Sequence, residues 1–439
     1  MSNPFANWWR GRQFSAALKQ GNTRLAERLL QESQNSGARL SWLEKLFRDK
    51  LQSAQSIHQY KTEAATLSRQ LRQASQRIEN LEQKIEFYQP GNLILKPETE
   101  FINFILNTFN LIDHDEHKLQ CTGIDASVFD EFEVSIVEYL KQEFAKKSTA
   151  QLKAALKDAH EDIDRLKNGQ DPAYSLELTP HVYFMKYFLG NVYGAYLAWF
   201  LIYKSGLLPT KLNILDIAAG PGTIAYGLAL LLQSSSSFFP MPAMHISYYS
   251  LEQQASFQYR GLQLWRRYIE PQQTATNAYF RFDTYNFLDY YDQPKKIPEN
   301  FFDFIVISHC FFSDPDQRMK SYKIYAEVFS NCLTNKGYVL LIIQGRKLFK
   351  AYNVRPNEDG NQEATVVRRF VEELGLTIEW YKYITSTGKR TPTPSNEFAK
   401  FAEQNLPPQN YMGVLMQQYL GIQYKSNYVL DDYVILAKK

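Results

Sequence analysis

The stretch that decides the fold reads Leu212-Asn213-Ile214-Leu215-Asp216-Ile217-Ala218-Ala219-Gly220-Pro221-Gly222-Thr223. Its first half is an apolar run with the length and composition of a buried β-strand. Its second half consists of small residues, which let the backbone turn sharply and let a ligand approach it. A helix is predicted to begin at Thr223. A ligand in this turn would therefore lie between the carboxyl end of the strand and the amino end of the helix.

Beyond this stretch, apolar β-rich runs alternate with helical stretches as far as the C-terminus. Seven strands are predicted, at Leu212–Ile217, His245–Leu251, Tyr279–Phe282, Phe304–Ile307, Tyr338–Ile343, Thr377–Tyr383 and Tyr428–Ala437. Helices are predicted at Thr223–Gln233, Gln254–Tyr268, Arg318–Cys332 and Glu363–Leu374. This alternation predicts an α/β fold, in which a doubly wound, seven-stranded parallel sheet has helices on both faces.

The turn after the first strand is compatible with two classes of ligand. Gly220, Gly222 and Ala225 come close to the GxGxxG pattern of dinucleotide-binding proteins. However, a carboxylate at Asp216 would repel a pyrophosphate, whereas it suits a ligand that bears an ammonium group and a cationic sulfur. The charge argument favours S-adenosylmethionine (SAM) over NAD as the ligand.

The run from Asp216 to Thr223 resembles motif I of class I SAM-dependent methyltransferases, which have a Rossmann-like fold. The resemblance covers about 230 residues, from Leu207 to the C-terminus. It implies SAM as the cofactor, with the methionine and ribose parts bound by Asp216, Ala218, Gly220 and Gly222. Ala218 stands where the family usually has glycine, which exchanges one small residue for another.

The resemblance also assigns residues after the second and third strands. Glu252, at the end of the second strand, matches the acidic residue that accepts hydrogen bonds from the ribose hydroxyls in this family. Its alternative role is a surface residue at a helix N-terminus, stabilised by the helix dipole. After the third strand, the family places a polar residue near the adenine. Asn286 is the first candidate and Asp283 the second, although Asx residues after a strand are also ordinary turn formers.

The fourth strand ends at Ser308-His309-Cys310, and the resemblance implies that this end faces the methyl group. Ser308 is therefore predicted to contact the cofactor. His309 is a candidate base or substrate-orienting residue, with a structural role as the alternative. Cys310 lacks the preceding proline of cytosine methyltransferases, so an inert buried thiol is favoured over a nucleophile.

A second likeness concerns the residues before the turn. The Pro-aromatic stretch from Pro180 to Tyr203, followed by the same turn, looks like the methyltransferase-like proteins of the mitochondrial ribosomal small subunit. Those proteins carry a cysteine cluster for a metal centre, which this chain lacks.

The chain is long enough for two domains and is divided here into four segments. Residues 1–50 are predicted to be a helical segment, 51–90 a long heptad helix, 91–205 a helical region and 206–439 the methyltransferase-like domain. The heptad seam has apolar side chains at Ile57, Tyr60, Ala64, Leu67, Leu71, Ala74, Ile78, Leu81, Ile85 and Tyr88. It predicts either a coiled coil between chains, which would make a homo-oligomer through 57–88, or a helix packed on its own protein.

Cysteine and histidine usage argues against a disulfide framework and against a metal site. The cysteines Cys121, Cys310 and Cys332 are far apart, so a reducing compartment and a cytoplasmic location are expected. His114 and His117 lie among acidic residues, in the pattern of a polar loop rather than a metal site.

The stretch from Tyr187 to Tyr203 is uncharged, at the lower limit of the length of a membrane span. Because Gly190, Asn191 and Gly194 interrupt it, a buried helix is predicted rather than a transmembrane segment.

Three functions follow from these observations. The first is methyl transfer from SAM to an acceptor. A macromolecular acceptor (RNA, ribosome or protein) is favoured, because the N-terminal half is larger than recognition of a small metabolite requires. That half would recognise the macromolecular substrate or a partner protein. The second is a non-catalytic scaffold that acts through the helical N-terminal half. The third is a NAD-linked oxidoreductase, which the carboxylate of Asp216 disfavours.

Overall fold

The computed structural model describes residues 4–35, 44–45, 47–48, 94–168, 170, 172–238, 244–272, 276–292, 297–422 and 426–439. The chain divides into two units, Met1–Gly91 and Asn92–Lys439, which are considered separately. The predicted heptad helix at 51–90, with its seam at 57–88, lies outside the described residues. The coiled coil and the oligomer therefore stay predictions.

Among the described residues of the first unit are the helices α1 (Pro4–Lys19) and α2 (Thr23–Asn35). The turn between them ends at Asn22, whose side-chain oxygen accepts a hydrogen bond from the N–H of Leu25 at 3.2 Å. Such a bond satisfies one of the amide groups that a helix leaves unpaired at its start. The two helices share a small apolar core, formed by Phe14, Ala17, Ala26, Leu29 and Leu30.

The second unit is built on one sheet, in which nine strands are described. They are β1 (Leu111–Asp113), β2 (Lys118–Cys121), β3 (Lys211–Ile217), β4 (Met244–Glu252), β5 (Thr276–Thr284), β6 (Phe302–Ser308), β7 (Leu333–Gln344), β8 (Thr377–Thr385) and β9 (Asp431–Lys438). Their order across the sheet is β1-β2-β8-β9-β7-β6-β3-β4-β5. All seven predicted strands are present, and the order reverses on either side of β3. This reversal places a ligand crevice at the carboxyl ends of β3 and its neighbours.

The sheet differs from the prediction in strand number and direction. It has nine strands among the described residues rather than seven, because the hairpin β1–β2 adds to β8. The prediction that residues 91–205 are exclusively helical is wrong at this hairpin. Its strands of three and four residues are too short to show a period of two in the sequence. The sheet is also mixed rather than parallel, since β9 runs antiparallel to both β7 and β8.

Helices α3–α14 accompany these strands. They are α3 (Thr99–Thr108), α4 (Ala126–Phe144), α5 (Thr149–Asp164), α6 (Thr179–Tyr183), α7 (Leu189–Lys204), α8 (Thr223–Ser235), α9 (Ala255–Tyr268), α10 (Pro315–Cys332), α11 (Gly345–Ala351), α12 (Gly360–Glu373), α13 (Ser395–Asn405) and α14 (Asn410–Leu420). A π-helical turn, Phe184–Phe188, joins α6 to α7. The four predicted helices correspond to α8, α9, α10 and α12.

Both faces of the sheet are buried, each by its own set of helices. Ile214 of β3 belongs to one apolar core, with α4, α7 and α8, whereas the adjacent Leu215 belongs to the other, with α10 and α12. Successive residues of a strand point to opposite faces, so a strand buried on both sides reads as a continuous apolar run. This explains why Leu212–Ile217 shows no alternation.

The apolar stretch that precedes β3 is a buried helix, as predicted. In α7, every side chain from Val192 to Tyr203 is buried, and the indole N–H of Trp199 donates to the carbonyl of Ile224 at 3.0 Å. Within the described part of the chain, no helix has the length and apolar character needed to cross a membrane.

Candidate functional site

The turn after β3 has three residues in the left-handed region of backbone conformation. These are Ala218, Gly220 and Gly222, with φ of 56°, 55° and 85°. The turn is held by hydrogen bonds from the N–H of Ala219 to the carbonyl of Leu251 (3.0 Å) and from the N–H of Gly222 to that of Ala219 (2.9 Å). A Cβ placed on Gly220 would meet no atom within 4 Å. The backbone there faces open space.

Helix α9 packs directly against this turn, which the sequence did not reveal. A Cβ on Gly261 would lie 2.1 Å from the carbonyl oxygen of Pro221. The hydroxyl of Tyr226 donates to the carbonyl of Gly261 at 2.7 Å. Gly261 therefore permits the close approach of helix and turn.

Glu252 connects the ends of β3 and β4. Its Oε2 accepts from the N–H of Gly220 at 2.8 Å, and its Oε1 accepts from the N–H of Gln254 at 2.8 Å. Burial raises the pKa of this carboxyl group above its usual value. Each carboxylate oxygen can accept a further hydrogen bond. Glu252 can thus hold the turn and still receive donors from a ligand.

A cavity of about 1450 Å³ lies at this edge of the sheet. Six of the residues predicted from the sequence line it: Ala218, Gly220, Glu252, Asn286, Ser308 and His309. They come from the carboxyl ends of β3, β4, β5 and β6, because parallel strands end at the same edge. Asp216, Gly222 and Asp283 are not among its lining residues.

Asp216 is buried beneath the turn, not on the cavity wall. The hydroxyl of Tyr248 donates to its Oδ2, while no described residue bonds its Oδ1. Burial raises the pKa of Asp216 to about 7. The side chain of Asp216 thus bonds the neighbouring strand β4 and does not line the cavity.

The other two predicted residues that do not line the cavity, Gly222 and Asp283, have local structural roles. Gly222 precedes the first residue of α8 and so begins that helix. Asp283 accepts a hydrogen bond from the hydroxyl of Tyr249 at 2.6 Å.

The part of the cavity wall that follows β5 combines a polar side chain with apolar ones. Asn286 caps a 3-10 turn by accepting from the N–H of Leu288 at 3.2 Å, and its amide oxygen retains capacity for one more donor. Leu251, Phe257 and Phe287 add apolar side chains to this part of the wall.

The opposite end contains polar groups from β6 and β9. His309 follows β6 in a left-handed conformation, with φ of 58°, and its N–H donates to the carbonyl of Ile342 at 2.8 Å. Its Nδ1 lies 3.8 Å from Oδ1 of Asp432. Burial lowers the pKa of His309 to about 4 and raises that of Asp432 to about 7.

Several lining residues were missed by the sequence analysis. The π-helical turn and α7 contribute Lys186, Tyr187 and Asn191, and Asn191 donates to the hydroxyl of Tyr183 at 2.9 Å. A polar residue inside an apolar run was the available signal for Asn191. Similarly, the adjacent acids Asp431 and Asp432 are the first two residues of the largely apolar strand β9.

Two further walls were also missed. Helix α11 contributes Arg346, Lys347 and Lys350. The connection between β8 and β9 folds into α13 and α14, and from it Phe398, Glu403 and Gln409 line the cavity. No motif in the sequence marked these helices.

No family model and no curated protein match the sequence. Among solved structures, the chain is similar to a SAM-dependent methyltransferase from Methanosarcina mazei, with 16% identity over 53% of this chain and 94% of that one, and a TM-score of 0.30. It is also similar to a putative class I SAM-dependent methyltransferase from Listeria monocytogenes (11% identity, 77% and 87% covered, TM-score 0.31). A third is loganic acid methyltransferase with SAH (11% identity, 52% and 84% covered, TM-score 0.27). At such low similarity, the interpretation of the site depends on the geometry of this chain alone.

Proposed function

We propose that this chain is a methyltransferase that binds SAM in the cavity at the carboxyl edge of the sheet. One observation carries the proposal: the left-handed turn at Gly220 and the carboxylate of Glu252 are joined by a hydrogen bond at the mouth of a single cavity. The turn offers bare backbone, and Glu252 offers acceptors for a ribose diol.

The residues around the cavity fit SAM. Ala218, Gly220 and Glu252 would hold the methionine and ribose parts, and Asn286, with Leu251 and Phe287, would hold the adenine. Ser308 would lie toward the methyl group. When bound, SAM supplies an electrophilic methyl carbon on a sulfonium sulfur. The chain's own residues then align the acceptor and exclude water, which is the main requirement of such a transfer.

The same geometry disfavours a dinucleotide. A pyrophosphate needs backbone N–H groups at the start of the helix after the first strand. Here the N–H of Gly220 is already donated to Glu252.

We further propose a macromolecular acceptor, recognised with the help of residues 1–90. The support is the extent of this segment, together with the likeness of the Pro180–Tyr203 stretch and its following turn to ribosome-associated methyltransferase-like proteins. Pairing of chains through 57–88 and a cytoplasmic location remain part of this proposal.

Transfer of a tritiated methyl group from SAM tests the activity. The full chain is added to an extract of cells that lack it, and the extract is separated into RNA, protein and small molecules. Label is expected in one fraction. Glu252→Gln should lower the label at least about tenfold at limiting SAM, because about 1.4 kcal/mol of binding is a factor of ten. Absence of label from all fractions would contradict the proposed methyltransferase activity and favour the non-catalytic scaffold.

A further inference from the structure

Two titratable side chains from different strands meet at the end of the cavity near β6. His309 follows the last residue of β6, and Asp432 is the second residue of β9. Strand β7 lies between those two strands in the sheet. The two side chains therefore approach each other across the end of β7, with 3.8 Å between His309 Nδ1 and Asp432 Oδ1. Both side chains line the cavity.

The backbone fixes both members of the pair. His309 adopts φ of 58°, which costs a non-glycine residue roughly 1–2 kcal/mol and is typical of active sites. Its N–H is bonded to Ile342 of β7. Asp432 is paired in register with Gln344 of β7 and Ile384 of β8. Neither residue is on a free loop, so the juxtaposition is a property of the sheet.

Charged groups of two elements, α11 and β9, lie in the same cavity as the pair. Lys347 of α11 lowers the pKa of His309 further, and Arg346 and Lys350 of the same helix line the cavity. Asp431 of β9 accepts from the hydroxyl of Tyr383 of β8 at 2.6 Å. With burial, this environment keeps the imidazole uncharged near neutral pH, which is the form that accepts a proton.

We infer that His309, oriented by Asp432, removes the proton from a hydroxyl group of the methyl acceptor. The inference rests on the proposed function and specifies its acceptor. An uncharged amine or a thiolate is nucleophilic without such help, whereas a hydroxyl oxygen is a weak nucleophile until its proton leaves. A base at the methyl end of the cavity therefore indicates O-methylation.

The step balances with SAM as the methyl donor. The acceptor oxygen forms a bond to the methyl carbon, and the carbon–sulfur bond breaks with its electron pair remaining on sulfur. The acceptor proton passes to Nε2 of His309. The resulting imidazolium directs its Nδ1–H toward the carboxylate of Asp432, and the proton later leaves to water.

Nitrogen NMR of the full chain, labelled with ¹⁵N-histidine, tests the pair without an acceptor. His309→Gln assigns the resonances. His309 is expected to be uncharged at pH 7 with Nδ1 protonated, and Asp432→Asn should change its tautomer or its titration. A charged imidazole at pH 7, or a tautomer and a titration that Asp432→Asn both leave unchanged, would overturn the inference.

The tritiated-methyl assay supplies the second test, with calorimetric titration of SAM on each variant. His309→Gln should retain SAM affinity within about twofold and lose at least about 10²-fold of the transfer, the usual contribution of a base. The matched control is His245→Gln, an exposed residue at the amino end of β4, which should transfer like the wild type.

The pH profile distinguishes orientation from a merely structural role for Asp432. Wild-type transfer should fall as pH decreases through about 7, where Asp432 takes up a proton. Asp432→Asn should lower the rate of transfer about tenfold at pH 8 and abolish the fall in transfer near pH 7. Transfer by His309→Gln at the wild-type rate overturns the inference and leaves the proposed function standing. Failure of the wild type to bind SAM or to label any fraction would instead overturn the proposed function.

Discussion

At the scale of single residues, Gly220 is required both by its backbone and by the space in front of it. Its φ of 55° disfavours any side chain, and a Cβ would project into open space beside the cavity. We predict that Gly220→Ala destabilises the chain by about 1–2 kcal/mol and raises the calorimetric Kd of SAM about tenfold.

Gly421 provides the matched control for this prediction. It has φ of 68° and open space around its Cβ position, but it ends α14 and does not line the cavity. Gly421→Ala should cost a similar unfolding free energy and leave the Kd of SAM unchanged. Equal weakening of SAM binding by both substitutions would contradict the assignment of Gly220.

Asp216 makes stability depend on pH in a direction opposite to that of an ordinary aspartate. Because burial raises its pKa to about 7, the folded chain holds a proton between about pH 4 and 7 that the unfolded chain releases. Stability from this residue is therefore lost as pH rises through that range, by up to about 1.4 kcal/mol per pH unit. Asp216→Asn should remove this component.

Denaturant titrations at pH 5, 6, 7 and 8 measure this contribution of Asp216 to the unfolding free energy. The difference in unfolding free energy between Asp216→Asn and the wild type should shift in favour of the variant as pH rises. The same difference at all four pH values would show that Asp216 is ionised throughout.

The sequence indicated several residues that line the cavity, but not the direction in which each side chain points. Gly220 and Glu252 could be predicted because a strand end followed by small or acidic residues is a local pattern. The direction of the Asp216 side chain could not, because it depends on the hydroxyl of Tyr248 across the sheet. Asp432 was missed for the same reason, since its proximity to His309 arises only from the strand order.

At the scale of elements, the hairpin β1–β2 is attached to the sheet through Arg390. This guanidinium bonds Asp115, in the turn of the hairpin, at 2.9 and 3.0 Å, and Glu363 of α12 at 2.8 Å. Glu363 has only 1% of its side chain exposed and also accepts from the hydroxyl of Tyr433. Removal of Arg390 would leave a buried carboxylate without its cation.

We predict that Arg390→Met lowers the unfolding free energy by about 3 kcal/mol, as expected for a broken buried pair. Lys382→Met is the control, because Lys382 pairs with the half-exposed Asp113 of the same hairpin and should cost less than about 1 kcal/mol. Hydrogen exchange should accelerate at 111–121 in the first variant only. Similar losses of unfolding free energy in both variants would show that the ion pairs of Arg390 contribute no more than an ordinary surface pair.

Element prediction succeeded where burial imposed a pattern over six or more residues. Strands β3, β4, β6 and β7 and helices α8 and α9 were found in this way. Helices α13 and α14 were not predicted, although α13 and the residue before α14, Gln409, line the cavity. Their few buried side chains, such as Ala402 and Met412, give only a weak helical period.

At the scale of the whole molecule, all the described residues that line the cavity belong to the unit Asn92–Lys439. We predict that a chain of residues 92–439 folds and binds SAM with a Kd within about twofold of that of the full chain. A change of this size corresponds to less than about 0.4 kcal/mol of binding free energy. Calorimetry on both chains measures this. A fragment that is folded by circular dichroism but does not bind SAM would show that residues 1–91 complete the site.

The fold class was predictable because β3–β9 follow one another as alternating elements, each with its own signal. The parallel pairing of β2 with β8 joins residues more than 260 positions apart and leaves no local trace. The antiparallel insertion of β9 between β7 and β8 is likewise a property of the assembled sheet.

Calorimetric titration of SAM into the wild-type chain and into Glu252→Gln tests the central claim most directly. We expect saturable binding to the wild type with one site per chain, and a Kd at least about tenfold higher for the variant. NADH should give no saturable heat under the same conditions. Absence of SAM binding at high micromolar concentration, or equal affinity in the two chains, would contradict the assignment of this cavity to SAM.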